Sequence, residues 1–349
     1  MSEKPDSTNV FHHFREVKNK TWLDWEKSFS EEYKEYRRKW VEYPKSLHVP
    51  NAPLHLDIEI TNKCNLKCTF CARTVSIEDE TFRTVQNMDI SLYKKVIDNA
   101  IKVGVYAVNL NFLGEPMLHP QIMDVIRYTK DSGILDVFLH TNGTVLTEKK
   151  CHSLIKAGLD KLSVSFDSPY EEKYNEVRVG AKYERVLNNI KTFSRIKNEL
   201  QLVKPLTRIN FINLPGTTEQ EINDMIDLFS PLVDSIGILE YVDPFKYSKK
   251  TFDDGYISKF VCPQILTRLM VYADGNVHPC CSDYTNELVL GTLTTQTIED
   301  IWNSKKLNYI RKKHLEGKFY EIPACAKCEF AIDGDTNSRI VNPDFETIA

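Results

Sequence analysis

Three cysteines in one short stretch are the residues of this chain best suited to chemistry. Cys64, Cys68 and Cys71 follow the spacing Cys-x3-Cys-x2-Cys, and a strand-like apolar run at 54–60 leads directly into them. Three thiolates on one loop can ligate three metal positions, but a four-iron cluster and a tetrahedral zinc ion each require four ligands. The loop therefore either takes a distant fourth ligand or leaves one metal open to a small molecule.

The elements that must position this loop follow from hydrophobic periodicity. From residue 54 to about 240, apolar strands alternate with amphipathic helices, and repeated strand–helix units form a parallel sheet. Strands are predicted at 54–60, 105–113, 134–140, 160–166, 206–212 and 235–241. Helices are predicted at 91–103, 119–132, 147–157, 183–199 and 218–231. Six such units predict an α/β fold, specifically an open or partial (βα)6 barrel.

Polar residues follow each predicted strand. In a barrel of parallel strands, chemistry collects at the carboxyl ends, and the cysteine loop lies after the first of them. The later ends carry Asn111 to Pro116, His140 to Gly143, Ser163, Ser165, Asp167, Asn210, Asn213, Glu240, Tyr241 and Asp243. Because six polar ends converge, we expect them to form one site.

Two further regions flank the barrel, which we assign to residues 54–243. Residues 1–53 carry aromatic side chains from Trp22 to Trp40 at spacings of three and four. This spacing predicts an N-terminal helical extension packed on the main domain, with a partner-binding or dimer helix as the alternative. A smaller domain is predicted at 244–349, with a hairpin at 268–277 and a helix at 298–315.

Composition narrows the class of protein. The net charge of −4 gives no argument for nucleic-acid binding, and no apolar run approaches the roughly 20 residues of a membrane span. The first residues lack the apolar segment of a secretory signal. Nine cysteines in a chain without export are better explained as metal ligands than as disulfides. We therefore expect a cytoplasmic protein that binds neither nucleic acid nor membrane.

The cysteine loop and the strand ends together resemble the radical S-adenosylmethionine (SAM) superfamily. Aromatic Phe70 precedes the last cysteine, and Gly114-Glu115-Pro116 is similar to the Gly-Glu-Pro motif of that family. The resemblance covers residues 54–240. It implies that the three loop cysteines ligate three irons of a [4Fe-4S] cluster, and that SAM chelates the fourth iron.

The same resemblance implies where SAM is bound and what it does. Glu115, between Gly114 and Pro116, would receive the methionyl amino group. Ser165 and Arg178 would hold the ribose hydroxyls and the carboxylate, and Asn142 would make a further contact. Reductive cleavage of SAM would give a 5′-deoxyadenosyl radical that abstracts hydrogen from a substrate. The reduction requires a low-potential donor, so flavodoxin or ferredoxin is implied as a partner.

A second set of cysteines resembles a SPASM domain. Cys262, Gly275 and Cys280 match its opening pattern, and Cys325 and Cys328 follow. Four cysteines can fully ligate one four-iron cluster but not two, so the similarity is to the shortened twitch form of aminocyclitol and sugar dehydrogenases. It implies a second [4Fe-4S] cluster, and a zinc site of the same thiols is the alternative.

A closed auxiliary cluster can accept an electron, and this favours oxidation of an alcohol carbon. The substrate would be a sugar, nucleotide sugar or aminocyclitol, and Glu240, Tyr241, Asp243 or Lys246 would act as the base. In a redox-neutral epimerase, Cys281 would instead return the hydrogen; Cys281 could also be a buried thiol or replace Cys280 as ligand. The motifs are also compatible with peptide modification and with a non-enzymatic iron–sulfur carrier or sensor.

Overall fold

A computed structural model describes residues 14–243, 256–280, 282–284, 286–328 and 331. Its strands are β1 (Phe14–Lys18), β2 (His55–Ile58), β3 (Ala107–Leu110), β4 (Asp136–Thr141), β5 (Lys161–Ser165), β6 (Leu206–Asn213), β7 (Ser235–Glu240), β8 (Arg268–Val271), β9 (Asn276–His278) and β10 (Gly291–Thr292). They form one sheet in the order β1-β7-β6-β5-β4-β3-β2-β8-β9-β10.

The helices lie between these strands and after them. They are α1 (Lys20–Lys27), α2 (Glu31–Lys45), α3 (Ala72–Glu78), α4 (Ile90–Val103), α5 (Ile122–Asp131), α6 (Glu148–Lys156), α7 (Glu171–Val177), α8 (Tyr183–Glu199), α9 (Glu219–Phe229), α10 (Gln264–Thr267), α11 (Ile298–Trp302), α12 (Lys305–Leu315) and α13 (Pro323–Ala326). None of the described helices is long and apolar enough to cross a membrane.

Strands β2 to β7 are parallel and are hydrogen-bonded in chain order, with at least one helix in every connection. This arrangement confirms the predicted α/β fold with a partial (βα)6 barrel. All six predicted strands and all five predicted barrel helices are present. The short helices α3 and α7 were not predicted. Each has only seven residues, too few for a clear helical period.

The two faces of the barrel strands differ in polarity. Leu56 and Ile58 of β2 are fully buried in the main hydrophobic core, whereas Asp57 between them binds Asn109 on the neighbouring strand. Side chains alternate across a strand, so apolar residues pack on one face and polar residues point to the other. The helices cover the apolar face, and the polar face lines the inside of the barrel.

The N-terminal region is more complex than the predicted helix. Strand β1 pairs antiparallel with β7 and extends the sheet, and two helices follow instead of one. The break arises because the Ser30 side chain caps a new helix by accepting the backbone N–H of Tyr33 at 3.2 Å. The aromatic residues keep a helical spacing on both sides of Ser30, so the spacing alone predicts one continuous helix.

The aromatic face of α1 and α2 covers the amino ends of the barrel strands. Trp25 and Tyr33 pack with Leu206 at the start of β6, and Trp40 packs with Leu54 and Ala107 beside β2 and β3. The Tyr33 hydroxyl also donates to buried Asp136 at 2.7 Å. These contacts close the end of the barrel opposite the predicted site.

The C-terminal region joins the same sheet. Strand β8 pairs in parallel with β2, and β8 and β9 form the predicted hairpin, with Gly275 at φ +87° in its turn. The helix predicted at 298–315 is two helices, because the Ser304 side chain caps α12. The proposed domain boundary falls within 244–255, outside the described residues, and stays a prediction.

If α2 closes the barrel, removing its central ring should destabilise the fold. Trp40 is 2% exposed, and we expect Trp40→Ala to lower the free energy of unfolding by about 3–5 kcal/mol, the usual cost of deleting a buried aromatic side chain. Urea denaturation of both proteins measures the difference. The control is Leu23→Ala, since Leu23 is 44% exposed and should change stability little. Equal losses for both variants would contradict the packing described.

Candidate metal and cofactor site

The three loop cysteines lie between β2 and α3, where the carboxyl end of β2 opens into the barrel. All three thiols are free, and Cys71 directly precedes α3. Burial raises the pKa of the Cys64 thiol and raises that of Cys68 to about 11, with the neighbouring thiols adding to both shifts. The three thiols therefore lie close together, and the raised pKa values keep Cys64 and Cys68 protonated in the absence of metal, so metal binding must release protons.

This donor set fits an iron–sulfur cluster better than a single ion. Among the described residues, no three His, Cys, Asp or Glu side chains are placed to hold one metal ion, whereas a four-iron cluster takes one thiolate at each separate iron. Three grouped thiols could hold three irons of such a cluster.

Gly114 allows the β3 loop to touch the cysteine loop. A Cβ atom at Gly114 would lie 2.0 Å from the Thr61 carbonyl oxygen and 2.9 Å from the Asn62 Cα. The next residue, Glu115, donates its backbone N–H to the Lys63 carbonyl at 2.7 Å. Only glycine fits this approach, which fixes the loop at 111–116 directly against the residues that precede Cys64.

The Glu115 carboxylate is buried and joins two strand ends. Its Oε1 accepts the Thr141 hydroxyl at 2.7 Å and the Met117 N–H at 3.0 Å, and its Oε2 accepts the Asn142 N–H at 2.6 Å. Burial raises the pKa of Glu115, and these hydrogen bonds oppose the shift. Both oxygens thus have protein donors, and the predicted contact with an amino group stays a prediction.

Asn142 forms a turn and also contacts the cysteine loop, and its predicted contact with SAM stays a prediction. It forms a turn with Gly143 at φ +73°, and its Oδ1 accepts the N–H of Thr144 at 3.0 Å. Its Nδ2 donates to Asn65 Oδ1 at 3.0 Å and lies 3.9 Å from the Cys64 sulfur. Asn142 therefore holds the cysteine loop from the end of β4.

Arg178 is paired with a second buried residue to which the sequence assigned no role. Its Nη2 lies 2.5 Å from Asp167 Oδ2, and Asp167 Oδ1 accepts the Ile212 N–H at 3.0 Å. The guanidinium also lies 5.6 Å from the centre of the Phe70 ring. Ser165, half-buried, ends β5 opposite Asn210 in register. The sequence identifies Asp167 only as a polar residue after a predicted strand, and no spacing in the sequence indicates that it pairs with Arg178.

The four later cysteines lie in the C-terminal region. Cys262, Cys325 and Cys328 pack around Phe260 and Phe319, and burial together with Cys262 and Cys328 raises the pKa of Cys325 well above its usual value. Asp283 also raises the pKa of Cys325. Cys280 lies just before Asp283 in the chain, and the Cys280 sulfur accepts the Ser282 N–H at 3.2 Å. Cys262, Cys325 and Cys328 are thus grouped, and Cys280 lies three residues before Asp283, which interacts with Cys325.

The predicted catalytic residues are only partly described. Glu240 is exposed at the end of β7, and both of its oxygens accept from Asn213 Nδ2, at 2.9 and 3.0 Å. Asp243 follows it and is half-buried. Lys246 and Cys281 lie outside the described residues.

A chain of stacked rings connects the two cysteine regions and was not predicted from the sequence. The Phe112 ring lies 4.9 Å from Tyr272, and Tyr272 lies 3.9 Å from His278, two residues before Cys280. His278 Nδ1 is 2.6 Å from Asp283 Oδ2. The contact between Phe112 and Tyr272 joins residues far apart in sequence, so no local spacing could have indicated it.

Comparison with known proteins identifies the family. Residues 58–229 match the family described as the radical SAM superfamily, and residues 262–329 match the SPASM iron–sulfur cluster-binding domain. The chain belongs to the radical SAM superfamily. It is a radical SAM enzyme with a SPASM domain, and its cofactors are SAM and two [4Fe-4S] clusters. Both matched ranges agree with the motifs described above.

Individual relatives have different activities. The GTP 3′,8-cyclase of Limosilactobacillus fermentum is 31% identical over 191 residues, which cover 52% of this chain and 56% of that protein. The chain therefore spans less than two thirds of such relatives. The crystal structure of BtrN with AdoMet and 2-DOIA is 20% identical with a TM-score of 0.53, covering 83% of this chain and 96% of that one. Streptococcus suis SuiB bound to its precursor peptide is 17% identical with a TM-score of 0.61, covering 88% and 78%. At these identities the structural likeness shows the fold alone.

The close approach of Gly114 generates a test of the first cysteine site. We expect Gly114→Ala to displace residues 61–62, because its Cβ would overlap the Thr61 carbonyl. The iron content after anaerobic reconstitution should then fall towards that of a single cluster. Gly104→Ala is the control: it strains a helix end at φ +80° but meets no atom within 4 Å. Full iron content in Gly114→Ala would contradict the predicted role of this contact.

Proposed function

We propose that this radical SAM enzyme oxidises an alcohol carbon of a sugar, nucleotide sugar or aminocyclitol to a ketone. When bound, SAM supplies the 5′-deoxyadenosyl radical that removes hydrogen, and the auxiliary cluster supplies a one-electron acceptor. The carbon-bound hydrogen leaves on 5′-deoxyadenosine, the hydroxyl proton passes to a base, and the remaining electron leaves as the C=O bond forms. No other oxidant is required.

The grouping of Cys262, Cys325 and Cys328 is the observation that carries this proposal. Cys262, Cys280, Cys325 and Cys328 would ligate the auxiliary cluster completely. A closed cluster has no iron free to bind substrate, but it can still accept an electron. Cys64, Cys68 and Cys71 would hold the other cluster and leave one iron for SAM.

The strand ends supply a SAM site on the same side of the barrel. We propose that the 114–116 loop and Asn142 contact the methionyl part of SAM, since both lie against the cysteine loop. Ser165 and Arg178 would contact the ribose and the carboxylate, and Phe70 would cover the cluster. The ion pair with Asp167 leaves only part of the Arg178 guanidinium for a ligand.

Unpaired polar atoms inside the barrel favour a hydroxylated substrate. Asn109 Oδ1, Ser163 Oγ and Asn210 Oδ1 are buried and have no hydrogen-bond partner among the described residues. Such atoms are costly to bury unless a ligand or water pairs with them. Two of them are acceptors only, and hydroxyl or ammonium groups of a sugar or aminocyclitol would donate to them.

The base and the electron donor complete the proposal. Glu240 and Asp243 end β7 beside the barrel opening, and Lys246 follows outside the described residues. Any of these could take the hydroxyl proton. We further propose flavodoxin or ferredoxin as the donor, with docking over the cysteine loop, where Lys63 and Lys67 are exposed. An acidic donor surface would complement these lysines.

A purine nucleotide is the second candidate substrate class. It is favoured by the 31% identity to GTP 3′,8-cyclase over about half of this chain. The same assay separates the two classes, because a cyclase consumes GTP without forming a ketone.

The assay uses the reconstituted enzyme under anaerobic conditions with dithionite and SAM. We expect 5′-deoxyadenosine with an aminocyclitol such as 2-deoxy-scyllo-inosamine or with UDP-sugars, and one ketone for each 5′-deoxyadenosine. In deuterated water, the oxidised carbon should gain no deuterium, whereas epimerisation with Cys281 as donor would introduce it. Turnover of GTP alone would reject the alcohol-oxidation proposal.

Removing one auxiliary ligand separates hydrogen abstraction from oxidation. We expect Cys328→Ala to lose the iron of one cluster and to reduce ketone formation by more than roughly tenfold, as changes at metal sites commonly do. SAM cleavage should persist, since the first cluster is intact. Cys151→Ala is the matched control, because Cys151 is a fully buried thiol on α6 away from both sites. Unchanged ketone formation in Cys328→Ala would exclude the auxiliary cluster as electron acceptor.

A further inference from the structure

We propose that the buried Arg178–Asp167 ion pair sets the reduction potential of the first cluster through the field it exerts at Cys68. The inference rests on the proposal that Cys68 ligates this cluster. In this role Arg178 is a positioning and tuning residue that acts before SAM binds. The negative charge of Asp167 partly offsets the effect of Arg178 on the reduction potential.

Backbone pairing places Arg178 beside Cys68. The Lys67 N–H donates to the Val179 carbonyl at 2.9 Å, and the Thr69 N–H donates to the Val177 carbonyl at 3.0 Å. The cysteine loop thus runs alongside 177–179 in a strand-like pair. Lys67 and Thr69 are exposed, whereas Cys68 and Arg178 are buried. Residues that alternate in this way place Cys68 and Arg178 on the same inner side.

The pair is held in place by its surroundings. Arg178 is 6% exposed and Asp167 is fully buried, with its second oxygen bound to the Ile212 N–H. The Phe70 ring lies beside the guanidinium at 5.6 Å. Gly180 has φ +97°, and a Cβ there would lie 3.3 Å from the Asn65 carbonyl, so the segment packs closely under the cysteine loop. Water cannot screen charges that are buried this way.

Both charges reach the Cys68 sulfur with opposite sign. Arg178 carries a positive charge on the inner side of the loop beside Cys68, and Asp167, which is paired with it, carries a negative charge. Reduction adds an electron to a cluster, so a fixed positive charge nearby favours the reduced form and a negative charge opposes it. We therefore expect Arg178 to make the cluster easier to reduce and Asp167 to oppose this effect.

The test is a redox titration of the holoenzyme without SAM or substrate, followed by electron paramagnetic resonance. The signal of the first cluster is the one that changes when SAM is added. We expect Arg178→Gln to lower its midpoint potential and Asp167→Asn to raise it. A tenfold change in the reduced-to-oxidised ratio corresponds to about 59 mV for one electron, and we expect at least this shift in Arg178→Gln.

Two further variants separate electrostatics from structure. Arg178→Lys keeps the charge and should restore most of the potential, even if Arg178→Gln assembles poorly. Lys197 on α8 forms a buried ion pair with Asp234, away from the cysteine loop, so Lys197→Gln should leave the potential unchanged. If the ion pair had only a structural role, Arg178→Gln and Asp167→Asn would not shift the midpoint potential in opposite directions.

The outcomes decide between tuning and SAM binding. An unchanged potential in Arg178→Gln, with weaker SAM binding, would show that the guanidinium acts only on the SAM carboxylate and would overturn the proposal. Shifts of the same sign in Arg178→Gln and Asp167→Asn would also overturn it. Because no substrate is present, failure of the alcohol-oxidation assay would leave this result intact. Full retention of the first cluster in Cys68→Ala would show that Cys68 is not a ligand, and the proposal would then fail.

Discussion

The site depends on one buried carboxylate. Glu115 has no free oxygen among the described contacts: its side chain accepts from the end of β4 and from its own loop, and its backbone donates to the cysteine loop. A buried acceptor of this kind stabilises the structure only while its donors stay in place. The ends of three neighbouring strands are therefore fixed relative to one another, and the cysteine loop is held in the same frame.

The polarity of the barrel strands determines what this frame can enclose. One face of each strand packs against helices in a continuous apolar core, and the other carries Asp57, Asn109, Ser163 and Asn210 towards the barrel interior. The aromatic face of α1 and α2 closes the opposite end. The inner face of the barrel is thus polar on the side of the cysteines, which supports the proposal of a small hydroxylated substrate.

The C-terminal region is connected to this chamber through the sheet itself. Strand β8 lies beside β2, so the segment that carries Cys262 and Cys280 begins next to the strand that leads into Cys64. The stacked rings of Phe112, Tyr272 and His278 reinforce the connection. The proposed electron transfer from the substrate to the auxiliary cluster would require such proximity, and the shared sheet supplies it.

Local signals in the sequence determined most of the architecture. The period-2 and period-3.6 patterns identified all six barrel strands and their main helices, and the cysteine spacings identified both metal-binding regions. Short elements were missed, and the Ser30 and Ser304 caps were overlooked, so two helix pairs were each predicted as one. Tertiary structure alone decided that Arg178 pairs with Asp167, that Glu115 is occupied by protein donors, and that β8 joins β2. These contacts depend on strand register and loop approach between distant segments, which no local pattern of residues encodes.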